Sequence, residues 1–196
     1  MTHDFEAVLQ FWFGDDDPIG VQQGKWFQKS EPFDQDLRER FAGTYAAAVA
    51  GELDDWAQAP RSALARIVVL DQFSRNLFRG SPRTWAQDPV ALAAARAAIA
   101  AGHDAALRPV ERSFVYMPFM HAEDVAAQDE CVALFERLAA AVPVDRREPF
   151  AGTLKYAVIH RDIVARFGRF PHRNAVLSRD STPEEIEFLQ GPNSSF

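Results

Sequence analysis

Apolar residues along this chain recur at three- and four-residue steps, the spacing of one helical face. Phe5, Val8, Leu9 and Trp12 form the first such set, with Thr2 or Asp4 placed to cap it and Gly14 followed by Asp15-Asp16-Asp17-Pro18 to end it. A short helix around Trp26 and Phe27 comes next. From about Pro32, the residues Phe33, Leu37, Phe41, Tyr45 and Val49 share a face that Gly51 closes. Pro60 suits the first turn of a helix that continues to about Phe78, before Gly80. Asp88-Pro89 reads as a cap followed by a first-turn proline, opening an alanine-rich helix that stops at Gly102. Pro109 starts a further segment that Pro118 should break or kink, with the helix resuming through Leu134, Phe135 and Leu138 to near Pro143. A long helix is expected from about Arg147 to Phe167, before Gly168. In Ser181-Thr182-Pro183-Glu184-Glu185, a hydroxyl cap, a proline and two acids start a last helix reaching about Gln190.

No stretch alternates polar and apolar residues as a strand would, and the β-branched run Ile67-Val68-Val69 lies inside a helical pattern. The expectation is an all-α protein of successive antiparallel helix pairs, because loops this short leave neighbouring helices little alternative. No linker divides the chain, so residues 1–196 are expected to form a single helical domain.

Composition narrows the setting. The 196 residues are 47% hydrophobic and 25% charged, ordinary values for a folded globule. A net charge of −7 argues against binding to nucleic acid or to an anionic membrane surface. The apolar runs ALARIVVL and VALAAARAAIAA are broken by Arg66 and Arg96 and fall short of a membrane span. The start, MTHDFEAVLQFWFGDDD, has no basic leader of the secretory kind. Cys131 has no second cysteine to pair with, and a reducing, cytoplasmic location is expected.

Three clusters carry candidate chemistry. In DQFSRNLFRG, Asp71, Arg75 and Arg79 fall at steps of four. They suit either an anion-binding strip or an intrahelical ion pair beside a helix C-terminus. In FVYMPFMHAEDVAAQDE, His121, Asp124 and Gln128 would share a helical face just past Pro118. His121 and Asp124 could then act as an oriented base or as half of a metal site, or as a hydrogen-bonded pair closing a helix end. In FGRFPHRNAVLSRD, the groups Arg169, His172, Arg173, Asn174 and Arg179 crowd one loop and repel unless something negative meets them, either the protein's own acids or a ligand. His160 lies amid Tyr156, Val164 and Phe167, where a neutral core histidine is expected. His103-Asp104 and the acidic turn Asp15 to Asp17 read as a helix stop and an ordinary turn rather than as metal sites. Walker, G-x-G-x-x-G, G-x-S-x-G and C-x-x-C patterns are absent, and the sequence implies no metal and names no cofactor.

FWFG, KWF, DQFSRNLFRG, YMPFMHAED with Gln128, HRDIVARFGRFPHRN and STPEEIEFL together resemble the bacterial domain-of-unknown-function family 924 over nearly the whole length. The resemblance implies an α/α superhelix similar to tetratricopeptide-repeat proteins, and no established activity. Its signatures fall on Asp71, Gln72, Arg75, Asn76 and Arg79; on His121 and Glu123; and on His160, Gly168, Arg169, Pro171, His172, Arg173 and Asn174. Two positions depart from the pattern: Ser74 stands where proline is frequent, and Ser178 where glycine is expected, which puts the geometry of that turn in question.

Two functions follow as expectations. One is a pocket for a small anion, a phosphate or carboxylate compound, held by Arg75, Arg79, Arg169 and Arg173, with His121, His160 or His172 available for proton transfer. In that case Arg75, His121 and the loop from Arg169 to Asn174 should meet around a cavity of ligand size. The other is a tetratricopeptide-like scaffold that presents a concave face to an acidic peptide or a partner protein.

Overall fold

A computed structural model describes residues 3–14 and 23–195, and among these all regular structure is helical, the class the sequence predicts. Thr2 and the acidic turn from Asp15 to Pro18 lie outside the described residues. The chain divides into two compact units, Met1–Arg79 with Arg83–Pro118, and Gly80–Pro82 with Phe119–Phe196.

The first unit contains α1 (Phe5–Phe13), α2 (Gln23–Phe27), α3 (Glu31–Val49), α4 (Pro60–Val68), α5 (Ser74–Leu77) and α6 (Asp88–Ala100), together with most of α7 (Pro109–His121). Asp4 caps α1 by accepting from the Glu6 amide, and Ser30 caps α3 by accepting from the Phe33 amide. Helices α3 and α6 end alike. At Gly51 and Gly102 the backbone turns left-handed (φ 80° and 72°), and paired bonds reach back to Ala47 and Ala48, and to Ala98 and Ile99. The aromatic core gathers on α1, where the Trp12 ring lies 5.7 Å from both Phe73 and Phe114. Helix α4 packs against α1 and α6.

Between α4 and α5 the helix widens into a single π turn, Val69–Phe73. The sequence reads here as one uninterrupted α-helix, and the wider turn accommodates one more residue than that helix would. Its five consecutive residues, including Asp71 and Gln72, are all buried. The Asp71 carbonyl released by the change of pitch accepts from Ser74 Oγ at 2.7 Å and from Arg75 Nη1 at 2.5 Å. Ser74, one of the two departures from the family pattern, thus satisfies a backbone group.

The second unit consists of the end of α7, α8 (Val125–Ala141), α9 (Glu148–Phe167) and α10 (Pro183–Leu189). Helix α8 packs along α9, burying Ala127, Cys131, Phe135 and Leu138 on one side and Phe150, Ala157, His160 and Val164 on the other. Ile163, Val164 and Phe170 form a buried cluster against which Ile159, Phe167 and Phe188 pack.

Two expectations need correction. Pro118 neither breaks nor ends α7, which continues through it to His121. The break falls at Asp124, whose carboxylate caps α8 by accepting from the Ala127 amide at 2.7 Å. Gln128 Nε2 donates to the carbonyls of Met120 and Ala122, both at 2.7 Å, and so closes the end of α7. His121 and Asp124 therefore lie on opposite sides of a helix boundary and share no helical face. Asp88 is likewise not the cap of α6: Gln87 holds that position, and the Asp88 carboxylate turns to Arg75.

Candidate functional site

The expected site residues fall into two sets. Asp71, Gln72, Arg75, Asn76 and Arg79 belong to the first unit. His121, Glu123, Asp124, His160, Arg169, His172, Arg173 and Asn174 belong to the second.

In the first set, carboxylates meet the guanidinium groups. Arg75 lies 3.4 Å from the Asp71 carboxylate and 3.1 Å from that of Asp88. Burial pulls the Arg75 pKa down, but these two carboxylates outweigh it and hold the guanidinium above its usual range. Arg79 forms a forked pair with Asp34 (2.5 and 3.1 Å), and Asn76 Nδ2 donates to the same carboxylate at 2.7 Å. Gln72 donates to Asp71 at 2.5 Å and to the Met117 sulfur at 3.4 Å. Of the stripe read at steps of four, Asp71 and Arg75 do pair, whereas Arg79 takes its partner from α3.

The second set has two layers. The outer layer is ionic. Arg169 grips Glu185 through two bonds of 2.7 and 2.8 Å, and Asn174 and the Thr182 amide donate to the same carboxylate. Hydrogen bonds from Arg169 chiefly, opposed by burial and helped by the Thr182 amide, bring the Glu185 carboxyl down to about 2. Arg179 forks onto Glu123 at 2.7 and 2.9 Å and donates to Asn174 Oδ1 at 3.0 Å. Glu123 also accepts from the Phe170 amide at 2.8 Å. Burial raises its pKa, but Arg179, this amide and Arg173 outweigh burial and leave it below the ordinary carboxylate range.

The inner layer surrounds Phe170, which is fully buried. The His160 ring lies 5.5 Å from it, the His172 ring 5.6 Å, and the Arg173 guanidinium 4.5 Å above its face. Arg173 Nη2 donates to the His121 carbonyl at 3.0 Å. His160 Nδ1 is 2.8 Å from the Tyr156 carbonyl. A carbonyl only accepts, so the ring proton sits on Nδ1 and the lone pair on Nε2. Burial pushes His160 down to about 3, the Tyr156 carbonyl opposes this, and repulsion from His121, His172 and Arg173 adds to it. Burial first, then Arg173, brings His172 to about 4 against the pull of Glu123. Both rings are neutral at pH 7.

His121, His160 and His172 thus come together from the end of α7, from α9 and from the short turn Pro171–Arg173. Asp124 is occupied as a helix cap. A cavity of about 20 Å³ lies in the first unit, lined by Ala57, Ala63, Arg66, Ala94, Ala97 and Ala98, and touches none of the expected site residues. That is room for about one water molecule. Among the described residues, no group of three or more His, Cys, Asp or Glu is placed to hold a metal ion. Nor is any described helix long and apolar enough to cross a membrane.

The partners Asp34, Asp88 and Glu185 were missing from the expected site. Asp34 had a legible signal, because it falls on the same helical stripe as Leu37, Phe41 and Ala48, where an acid must find a cation. Glu185 closes the capping box that Thr182 opens, which the sequence shows, and it also serves Arg169, which the sequence does not. At the doubted turn Ser178 adopts φ 55°, with paired bonds from Ser178 to Ala175 and from Arg179 to Asn174.

Comparison with known proteins agrees with this architecture. A protein of unknown function from Agrobacterium tumefaciens, ATU0120, has a solved structure that matches with a TM-score of 0.82 at 41% sequence identity, covering 95% of this chain and 97% of that one. No curated protein is similar enough to count as a relative. The profile of a family described as bacterial protein of unknown function, DUF924, matches residues 8–193, and with nearly its whole length inside that match, the chain belongs to this family.

Proposed function

We propose that the second unit binds a small anion, a phosphate or carboxylate compound, at His121, His160, His172 and Arg173. The observation that carries this reading is the gathering of two imidazoles and a guanidinium around one buried phenyl ring, with the His121 imidazole near enough to repel His160. Arg169 and Arg179, whose carboxylate partners are close and forked, form the frame of the site rather than its ligand contacts. The ion pairs of Arg75 and Arg79 belong to the scaffold of the first unit.

The chemistry follows from the charge states. Arg173 supplies a fixed positive charge, and neutral imidazoles beside it supply N–H donors without adding repulsion. A bound anion draws protons toward His172 and raises its pKa from about 4. A neutral imidazole next to a bound anion is also the group that a proton transfer on that ligand requires. A tetratricopeptide-like stacking of helix pairs is the corresponding reading of the fold, supported by the close α8 and α9 pair. A cytoplasmic location accords with a lone, buried cysteine.

The test is a titration with inorganic phosphate and with acetate, followed by imidazole NMR signals. The His172 and His121 resonances should move with saturation, and Arg173→Gln should abolish the movement while leaving the fold intact. Histidine signals that stay fixed at millimolar phosphate and acetate overturn the proposal.

A further inference from the structure

The first unit holds a second feature independent of the histidine cluster. Lys25 is one of only three lysines, the others being Lys29 and Lys155, against a total of 21 basic residues. Lys29 and Lys155 are exposed, whereas Lys25 is half-buried on α2. Its Nζ donates to the Phe11 carbonyl and lies 4.9 Å from the centre of the Phe11 ring and 5.2 Å from that of Phe33. The Arg40 guanidinium sits over the same Phe11 ring at 4.8 Å. Two cations therefore share one aromatic platform. Arg40 is only loosely engaged, 3.6 Å from Asp36, with both side chains about half exposed.

We propose that Lys25 is an acylation site, its ε-amine accepting the acyl group of a small acyl phosphate whose phosphate end is held by Arg40. The geometry supplies what the transfer needs. The phenyl rings give an apolar seat for a short acyl chain, the Phe11 carbonyl fixes the direction of the amine, and the neighbouring guanidinium selects an anionic donor. The Nζ lone pair forms a bond to the carbonyl carbon of the acyl phosphate. The carbon–oxygen bond to phosphate then breaks with its electron pair going to phosphate, and the proton lost by nitrogen passes to phosphate or water. The products are an amide and inorganic phosphate. The amide retains one N–H for the Phe11 carbonyl, and one of the two cations on the shared ring is gone.

Ionisation works in the same direction. Burial lowers the Lys25 pKa, Arg40 lowers it further, and Asp36 opposes them. More of this amine is nucleophilic at neutral pH than of a fully solvated lysine.

The test is to incubate the full chain with acetyl phosphate at pH 7 and follow acetylation of Lys25, Lys29 and Lys155 separately by mass spectrometry. Lys25 should react severalfold faster than the other two in the folded protein, and the three should react alike in denaturing urea. Arg40→Gln should reduce the Lys25 rate with acetyl phosphate but not with a neutral acetylating ester, which shows that the variant still presents the amine. A Lys25 no faster than Lys29 and Lys155 overturns the proposal. So does a lead that survives in urea, which makes it a property of local sequence rather than of the fold. An Arg40→Gln variant that slows neither or both reagents removes the role given to Arg40.

Discussion

The two units use the same polar vocabulary to different ends. Around the π turn of the first unit, Arg75 and Arg79 meet the carboxylates of Asp71, Asp88 and Asp34. These pairs tie the segment after the π turn to α3 and α6, so the arrangement acts as a fixed brace. Around Phe170 in the second unit, arginine–carboxylate pairs again form a frame, but the His160 and His172 rings pack on the phenyl ring and His121 is near enough to repel His160. Imidazoles are the side chains whose ordinary pKa lies between about pH 5 and 8, and burial has pushed two of them below that range. Signature arginines alone therefore do not distinguish a brace from a site. The difference lies in whether a titratable group is held away from its preferred charge state.

The largest effect of a single substitution should come from breaking the brace. Asp34 is almost fully buried, so Asp34→Ala leaves Arg79 and Asn76 without their shared acceptor. A loss of about 2–3 kcal/mol is expected, below that of a fully buried pair because Arg79 is about one-third exposed. Urea unfolding measures the loss, and hydrogen exchange should place it in α3 and the π turn. An unchanged midpoint would mean the brace contributes nothing.

A change of pH, which acts on two rings at once, tests the second unit. His160 and His172 have folded pKa values of about 3 and about 4, below the ordinary 6.5. Between those limits the unfolded chain binds more protons, so stability is complete above pH 6.5 and falls as pH drops toward 4 and then 3. The slope is about 1.4 kcal/mol per pH unit for each ring. Amide exchange measured from pH 7 to 5 should show α9 weakening while the π turn holds, and His172→Gln should flatten part of the fall. Equal weakening of both regions would erase the contrast between brace and site.

Two smaller changes test the joints of the second unit. Asp124→Ala removes the cap of α8 and should cost about 1 kcal/mol by thermal melting, without altering phosphate binding. If the variant lost binding instead, Asp124 would belong to the site after all. Ser178→Gly should stabilise by about 0.5–1 kcal/mol, because Ser178 holds a left-handed conformation that glycine adopts without strain. A lower melting temperature would mean that the serine side chain supports the turn.

Local rules made most of the helices legible. Asp4, Thr182, Gly51, Gly102 and Gly168 end or begin them as their chemistry dictates. The errors arose where distant groups decide. Pro118 looked like a break, yet its surroundings on α7 (Phe114, Val115 and Phe119) are buried and keep the helix intact past one missing donor. The true boundary depends on Gln128 reaching back to Met120 and Ala122, which spacing alone does not reveal. The polar positions of the site were readable as residue types, but their assignment to partners was not. Whether Arg79 finds Asp34 or Arg169 finds Glu185 is a tertiary fact, since 45 and 16 residues separate the pairs.

The wide turn at Val69–Phe73 also sets a rule for how this chain can change length. Deleting one of its residues would restore ordinary pitch while leaving everything beyond Phe73 near its present orientation, because the wide turn absorbs one extra residue. The same loss in the ordinary turns of α4 would rotate Arg75, Asn76 and Arg79 by about 100° relative to the helix before them, and so away from Asp88 and Asp34. This stretch should therefore tolerate the loss of a single codon better than the α-helical turns before it.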